Sequence, residues 1–222
     1  MSEFLGIDKS WIDAGLDIDL IRKILAVIEE KRRDREILPK QEDILNALKL
    51  CPLDKVKVLI IGQDPYPSAE HAHGLAFSSL SNNTPASLKN IFKKLELDFG
   101  CKHNSNLLIN WEKQGVLLLN TALTFEGKDT KLLKEHTKLW APVIENIFNI
   151  LKNRGNLIVM RWGSHAQGIN FGGKHFEWFG NNITVFDTTH PSPLSAHRGF
   201  MTSDQFTECN KILGKDAIDW ST

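Results

Sequence analysis

The run Lys55-Val-Lys-Val-Leu-Ile-Ile-Gly62, followed at once by Gln63-Asp64-Pro65-Tyr66-Pro67, decides how this chain folds. A short run rich in β-branched and aliphatic residues, stopped by a glycine, reads as a strand buried on both faces. The polar, proline-bearing segment behind it leaves the sheet, because proline gives a ladder no N–H.

The same event recurs three times. Val116–Leu119 runs into Asn120-Thr-Ala-Leu-Thr124, and Leu157–Met160 into Arg161-Trp-Gly-Ser-His-Ala-Gln167. Ile183–Phe186 leads into Thr189-His-Pro-Ser-Pro-Leu-Ser-Ala-His-Arg-Gly-Phe200. Before and between these strands lie stretches with apolar residues at helical spacing. Asp17–Arg33 carries Leu20, Ile21, Ile24, Leu25 and Ile28, and Ser87–Leu97 carries Leu88, Ile91, Phe92 and Leu95. Asp43–Leu48, Asn106–Gln114 before Gly115, and Leu132–Leu151 are also read as helical.

Alternating strand and helix predicts an α/β fold: one domain over residues 1–222, with a central four-stranded parallel sheet flanked by helices on both faces. In such sheets the ligand crevice lies outside the carboxyl ends of the strands, so the four polar segments are expected to gather into one pocket.

Composition sets limits on function. The chain has 222 residues, 41% hydrophobic and 24% charged, enough for one substantial core. Its first residues carry Glu3 and Asp8 and lack both a basic start and an apolar run, and no stretch is long enough to span a membrane. Cys51, Cys101 and Cys209 lie far apart with no paired spacing, which favours reduced thiols and a cytoplasmic protein. Lys plus Arg and Asp plus Glu both total 27, so any DNA binding must come from groups converging on one face rather than from net charge.

The motifs Gly62-Gln-Asp-Pro-Tyr-Pro67 with Ala72-His-Gly-Leu-Ala-Phe-Ser78 behind it, Leu117-Leu-Leu-Asn-Thr-Ala-Leu-Thr124, Trp162-Gly-Ser-His-Ala-Gln167 and His190-Pro-Ser-Pro-Leu-Ser-Ala-His-Arg-Gly-Phe200 occur in that order. In this the chain resembles the family 1 uracil-DNA glycosylases, and lesser similarities extend the likeness over most of its length. The resemblance implies a DNA-repair hydrolase, acting without cofactor or metal, that releases uracil from single- and double-stranded DNA and leaves an abasic site.

Hydrolysis at the anomeric carbon develops positive charge on the sugar and negative charge on the leaving base. Asp64, just past a buried strand, suits the first: an ionised carboxylate facing the sugar and orienting the water. His190 suits the second, donating as a neutral imidazole to uracil O2. Taken alone, Asp64 before Pro65 reads more simply as an Asx turn, and a loop histidine as a solvated group; the resemblance gives both their roles. It likewise implies that Phe77 stacks on the base, Tyr66 stands where the thymine methyl would be, and Asn120 pairs with uracil N3 and O4, with the Gln63 backbone adding a bond. Without it, core packing and strand capping would account for Phe77, Tyr66 and Asn120.

A base within a duplex must be extruded first. Leu194, between Pro193 and Ser195, is expected to enter the gap as a wedge. Pro85, Ser87, Gly163, Ser164, Ser192, Ser195, His197 and Arg198 are candidate DNA contacts through hydroxyls, backbone amides and positive charge; Arg198 could instead be a structural ion-pair partner. The resemblance also brings a monomer and binding of a proteinaceous glycosylase inhibitor into expectation.

The chain departs from the family pattern at Pro67, where most members have histidine, at Ser68-Ala-Glu-His71 in place of a Gly-Pro-Gly-rich stretch, and between Glu126 and Trp140, where Glu135-His136 stands. Two other classes compete with this one. A metalloenzyme using His71, His73 and His136 or His165 has no diagnostic ligand spacing. A catalytically weak DNA-binding scaffold of the same fold is the alternative that activity assays separate.

Overall fold

The structure, a computed structural model, describes residues 5–127 and 130–222, without the Thr130 side chain. Residues 1–4 of the amino-terminal stretch, and residues 128–129 within the segment from Glu126 to Trp140, lie outside them.

Four parallel strands form the central sheet: β2 (Val58–Gly62), β3 (Val116–Asn120), β5 (Leu157–Trp162) and β8 (Ile183–Thr188), side by side in the order β3-β2-β5-β8. All of β2 and β3, and all of β5 but Arg161, are buried, so helices cover both faces of these strands. β8, at the sheet edge, is mostly half-buried. Two-residue ladders flank the sheet, β1 (Ile37–Leu38) with β4 (Phe125–Glu126) and β6 (Asn170–Phe171) with β7 (Lys174–His175).

The helices are α1 (Lys9–Asp13), α2 (Ile18–Lys31), α3 (Asn46–Leu50), α4 (Ala86–Phe99), α5 (Ile109–Lys113), α6 (Thr130–Arg154), α7 (Gly163–Gln167) and α8 (Gln205–Leu213). α2 buries Ile21, Ile24 and Ile28, the predicted stripe, and Asp17 caps it by accepting from Leu20 N at 2.9 Å. α4 begins after Pro85 and ends at Gly100, whose left-handed backbone closes the helix.

Some boundaries differ from the sequence reading. The first strand begins at Val58, because residues 53–55 turn as a 3₁₀ helix beforehand. The helix expected over residues 43–48 divides into a 3₁₀ turn at residues 41–43 and α3. The polar segment after β5 contains α7, and α1 and α8 had no counterpart in the reading. Cys51, Cys101 and Cys209 are free thiols. Among the described residues no helix is long and apolar enough to cross a membrane.

Register brings the strand ends together. Gly62 lies opposite Asn120, Ile61 opposite Arg161, and Trp162 opposite Thr188. The order turns back at β2, with β3 on one side and β5 on the other, which makes their carboxyl ends the switch-point crevice.

Candidate active site

A cavity of about 260 Å³ opens at these ends, lined by residues that include Gln63, Asp64, Tyr66, Phe77, Ser87, Asn120 and His190. All six residues expected to carry catalysis and base recognition therefore share one wall-to-wall space. Ala72, His73, Gly74 and Leu75 also line it, a contribution not expected from the sequence.

Gly62 makes room for Asn120. A Cβ on Gly62 would lie 2.0 Å from Asn120 Oδ1 and 2.7 Å from the Ala76 Cβ. Asn120 is 5% exposed, yet its side-chain amide has no hydrogen-bond partner among the described residues. A buried amide in that condition costs stability unless something pairs with it.

Asp64 also lacks a side-chain hydrogen bond among the described residues, and burial pushes its carboxyl up to about 6. It is ionised at neutral pH. His190 is built for the opposite state. Its Nδ1 accepts from the Ser192 N–H at 3.0 Å, which leaves the ring proton on Nε2, and burial moves its pKa below 6.5. A neutral imidazole with a free Nε2–H donor results.

Two aromatic residues shape the slot. Phe77 has a φ of 62°, the left-handed region that a residue with a Cβ seldom occupies, and its ring lies 5.0 Å from that of Trp162 and 5.8 Å from that of His190. The Tyr66 hydroxyl, kept protonated by burial, donates to the Phe77 carbonyl at 2.9 Å. Pro67 follows at the exposed rim, and the His71 ring sits 5.5 Å from the tyrosine ring.

A second groove of about 500 Å³ adjoins the cavity and shares His190 with it. Gly163, Ser164, Ser195 and Arg198 line it. Gly163, at a φ of +83°, packs so closely that a Cβ would stand 2.8 Å from the His190 Cβ. Arg198 is exposed and makes no ion pair among the described residues. Pro193 and His197 are exposed, and Leu194 projects into solvent at 81% exposure. Pro85 caps α4, whose Asn90 donates to the Pro191 carbonyl at 2.8 Å and so ties this helix to the His190 loop.

The hydroxyls of Ser192 and Ser195 are engaged inside their own loop. Ser195 Oγ donates to the His190 carbonyl at 2.8 Å, and the two hydroxyl oxygens lie 3.0 Å apart. They shape the loop, whereas Ser87 and Ser164 have hydroxyls with no partner among the described residues.

The histidines weighed as metal ligands bond to separate hydroxyls: His71 to Ser79, His73 to Ser78 and His136 to Thr124, each at 2.7 Å, and His165 to Thr121 at 2.8 Å. His136 also meets Glu126 at 3.3 Å, which pairs with Arg35 at 2.9 Å, so the divergent segment holds a buried polar network.

The uracil DNA glycosylase superfamily model matches residues 48–214. The chain belongs to the uracil-DNA glycosylase superfamily. Curated uracil-DNA glycosylases of Francisella tularensis strains WY96-3418 and FSC147 are 41% identical over 199 residues, spanning 86% of this chain and 87% of theirs. Among solved structures, mimivirus uracil-DNA glycosylase covers 98% of this chain and 88% of its own, with a TM-score of 0.77 at 23% identity. A mimivirus variant in complex with UGI reaches 0.80 at 23% identity, covering 98% and 90%. At these identities the likeness concerns the superfamily's fold.

Proposed function

We propose that this chain hydrolyses the N-glycosidic bond of uracil in single- and double-stranded DNA, releasing uracil and leaving an abasic site with no lyase step. The observation that carries this reading is one cavity lined by three polar groups without partners among the described residues: the Asp64 carboxylate, the Asn120 amide and the His190 Nε2–H. They match, in turn, a cationic sugar, a hydrogen-bonding base edge and an anionic leaving group.

In this reading the extruded uracil lies against Phe77, a stacking contact contributing about 1–3 kcal/mol. Asn120 pairs with N3 and O4 together. Cytosine in the same place would leave the buried amide mispaired, at about 1–3 kcal/mol. Tyr66, held by its bond to the Phe77 carbonyl, occupies the space beside C5. Asp64 stays ionised, stabilises positive charge on the sugar and orients the attacking water. His190 Nε2–H donates to O2 as charge builds there; being neutral already, it keeps its proton throughout.

Leu194 enters the duplex gap that the base vacates. Ser87, Ser164, His197, Arg198 and the backbone at Pro85, Gly163, Ser192, Pro193 and Ser195 hold the flanking strand. With net charge zero, that grip is local, and binding is modest and weakens with salt as the few phosphate contacts are screened. The same reading takes the enzyme as a cytoplasmic monomer and extends to inhibition by a protein of the kind bound to the mimivirus enzyme.

The test is an oligonucleotide with one deoxyuridine. Free uracil and an abasic strand are expected at catalytic enzyme concentrations. Binding without release at stoichiometric enzyme would overturn the proposal and favour a DNA-binding scaffold.

A further inference from the structure

The carbonyl immediately before Asp64 is held from two directions. Ala122 N–H donates to Gln63 O at 2.9 Å, and the Thr121 hydroxyl donates to the same oxygen at 3.0 Å. The one proton of that hydroxyl is thereby used. Its contact with His165 Nε2 at 2.8 Å must then run the other way, the ring donating to Thr121 Oγ1.

The resulting chain, His165 to Thr121 to Gln63, joins the ends of three strands. His165 lies on α7 beyond β5, Thr121 follows β3, and Gln63 follows β2. A peptide unit is planar, so fixing the Gln63 carbonyl also fixes the Asp64 N–H and the direction in which Asp64 leaves the backbone. Neither Thr121 nor His165 lines the 260 Å³ cavity; both face a separate one of about 180 Å³ behind it. Thr121 is only 6% exposed, so water competes poorly for its hydroxyl.

We infer that Thr121 and His165 are positioning residues, whose hydrogen-bond chain orients the Gln63–Asp64 peptide and keeps the Asp64 carboxylate in its half-buried place. The inference rests on the reading of Asp64 as the sugar-facing carboxylate. Losing the chain lets the carboxylate turn toward water, which acts twice. The reacting geometry degrades, and the desolvation that raises Asp64 is relieved, so its protonation moves down toward the ordinary 3.8. The other titratable groups lining the cavity, Tyr66, His73 and His190, are all shifted by burial toward their neutral forms and do not mask this movement.

The experiment compares Thr121→Val, which keeps the shape and deletes the hydroxyl, with Thr121→Ser, which restores it. For deoxyuridine oligonucleotide the valine variant should lose at least about tenfold in kcat with KM within about threefold of wild type. Its acid limb should move to lower pH, and the serine variant should restore both kcat and limb. Valine equal to wild type, valine and serine equally impaired, or a fall in kcat with an unmoved limb would each overturn the inference. If Thr121→Val fails to fold, His165→Leu with His165→Gln as the donor-restoring partner decides on the same readouts. A wild-type chain that releases no uracil overturns the proposed activity instead; active wild type with unaffected variants removes only the positioning chain.

Discussion

The Ser192 N–H donates to His190 Nδ1 at 3.0 Å, which fixes the imidazole tautomer with its proton on Nε2. Burial works in the same direction by disfavouring the cation. Nitrogen NMR of labelled protein should show a single neutral tautomer protonated at Nε2, with no titration near 6.5, the ordinary histidine value. Titration at that value, or a ring protonated at Nδ1, would contradict neutral donation to the leaving base.

Asp64 should set the acid limb of activity. With its carboxyl raised to about 6, turnover should fall as pH drops through that value, when the carboxylate takes up a proton. The stability effect has the opposite sign. The folded state holds the Asp64 proton more tightly than the unfolded chain does, so this contribution is full below about 3.8 and is lost as pH rises through about 6. Asp64→Asn should therefore slow hydrolysis by orders of magnitude yet be more stable to unfolding than wild type at pH 8, by ~2–3 kcal/mol, a difference that shrinks toward pH 4. A variant destabilised at pH 8, or one with unchanged turnover, would count against the assignment.

Most of this site was legible because it depends on strand ends, and strands announce themselves by composition. Four apolar runs mark the sheet, and its topology gathers their polar continuations into one crevice, whereas singling out Asp64, Asn120 and His190 within them rests on the family resemblance. What escaped has a physical reason. Gly62 reads as a strand stop, and only the 2.0 Å that an added Cβ would leave to Asn120 Oδ1 shows that it makes space for a side chain. His165 was weighed as a metal ligand because sequence cannot show that Thr121 faces it across two strand ends. Ser192 and Ser195 read as phosphate ligands, whereas their hydroxyls close a loop through bonds local to it. α8 went unread although it buries Phe206 and Cys209, and β8 is half-buried while β3, the opposite edge strand, is fully buried, a difference that a strand pattern alone does not reveal.

Gly62→Ala should impair recognition more than folding. The added methyl meets Asn120 Oδ1 and the Ala76 Cβ, so the amide must turn out of the slot. A loss of at least about 100-fold in kcat/KM is expected, with a stability cost of ~1–3 kcal/mol. Adding Asn120→Gly to this variant should recover stability without activity. If Gly62→Ala alone retains near-native kcat/KM, the close packing is not what places Asn120.

Leu194 is 81% exposed, which for a leucine costs little in the free protein and leaves the side chain available to a partner. Leu194→Ala should leave the melting temperature within about 1 °C, because nothing buried is lost. On duplex substrate it should lose roughly tenfold or more in kcat/KM, but on single strands no more than about twofold, since only a duplex leaves a gap to fill. Equal losses on both substrates would refute a wedge.

Tyr66 separates two functions that the ring and the hydroxyl perform apart. The hydroxyl donates to the Phe77 carbonyl at 2.9 Å and supports a residue held at a φ of 62°, a conformation costing about 1–3 kcal/mol unless its surroundings impose it. The ring, flanked by Pro67 and lying 5.5 Å from the His71 ring, lines the cavity, where the proposed function puts it beside the base. Tyr66→Phe keeps the ring and drops the bond, so it should slow uracil release by no more than about tenfold, the net value of one hydrogen bond, while thymine remains excluded. Tyr66→Ala removes both. Uracil release should then fall further as Phe77 loses its anchor, and thymine release should become measurable because the methyl has room. Thymine release from Tyr66→Phe would place exclusion in the hydroxyl rather than the ring, and none from Tyr66→Ala would place it elsewhere in the cavity wall.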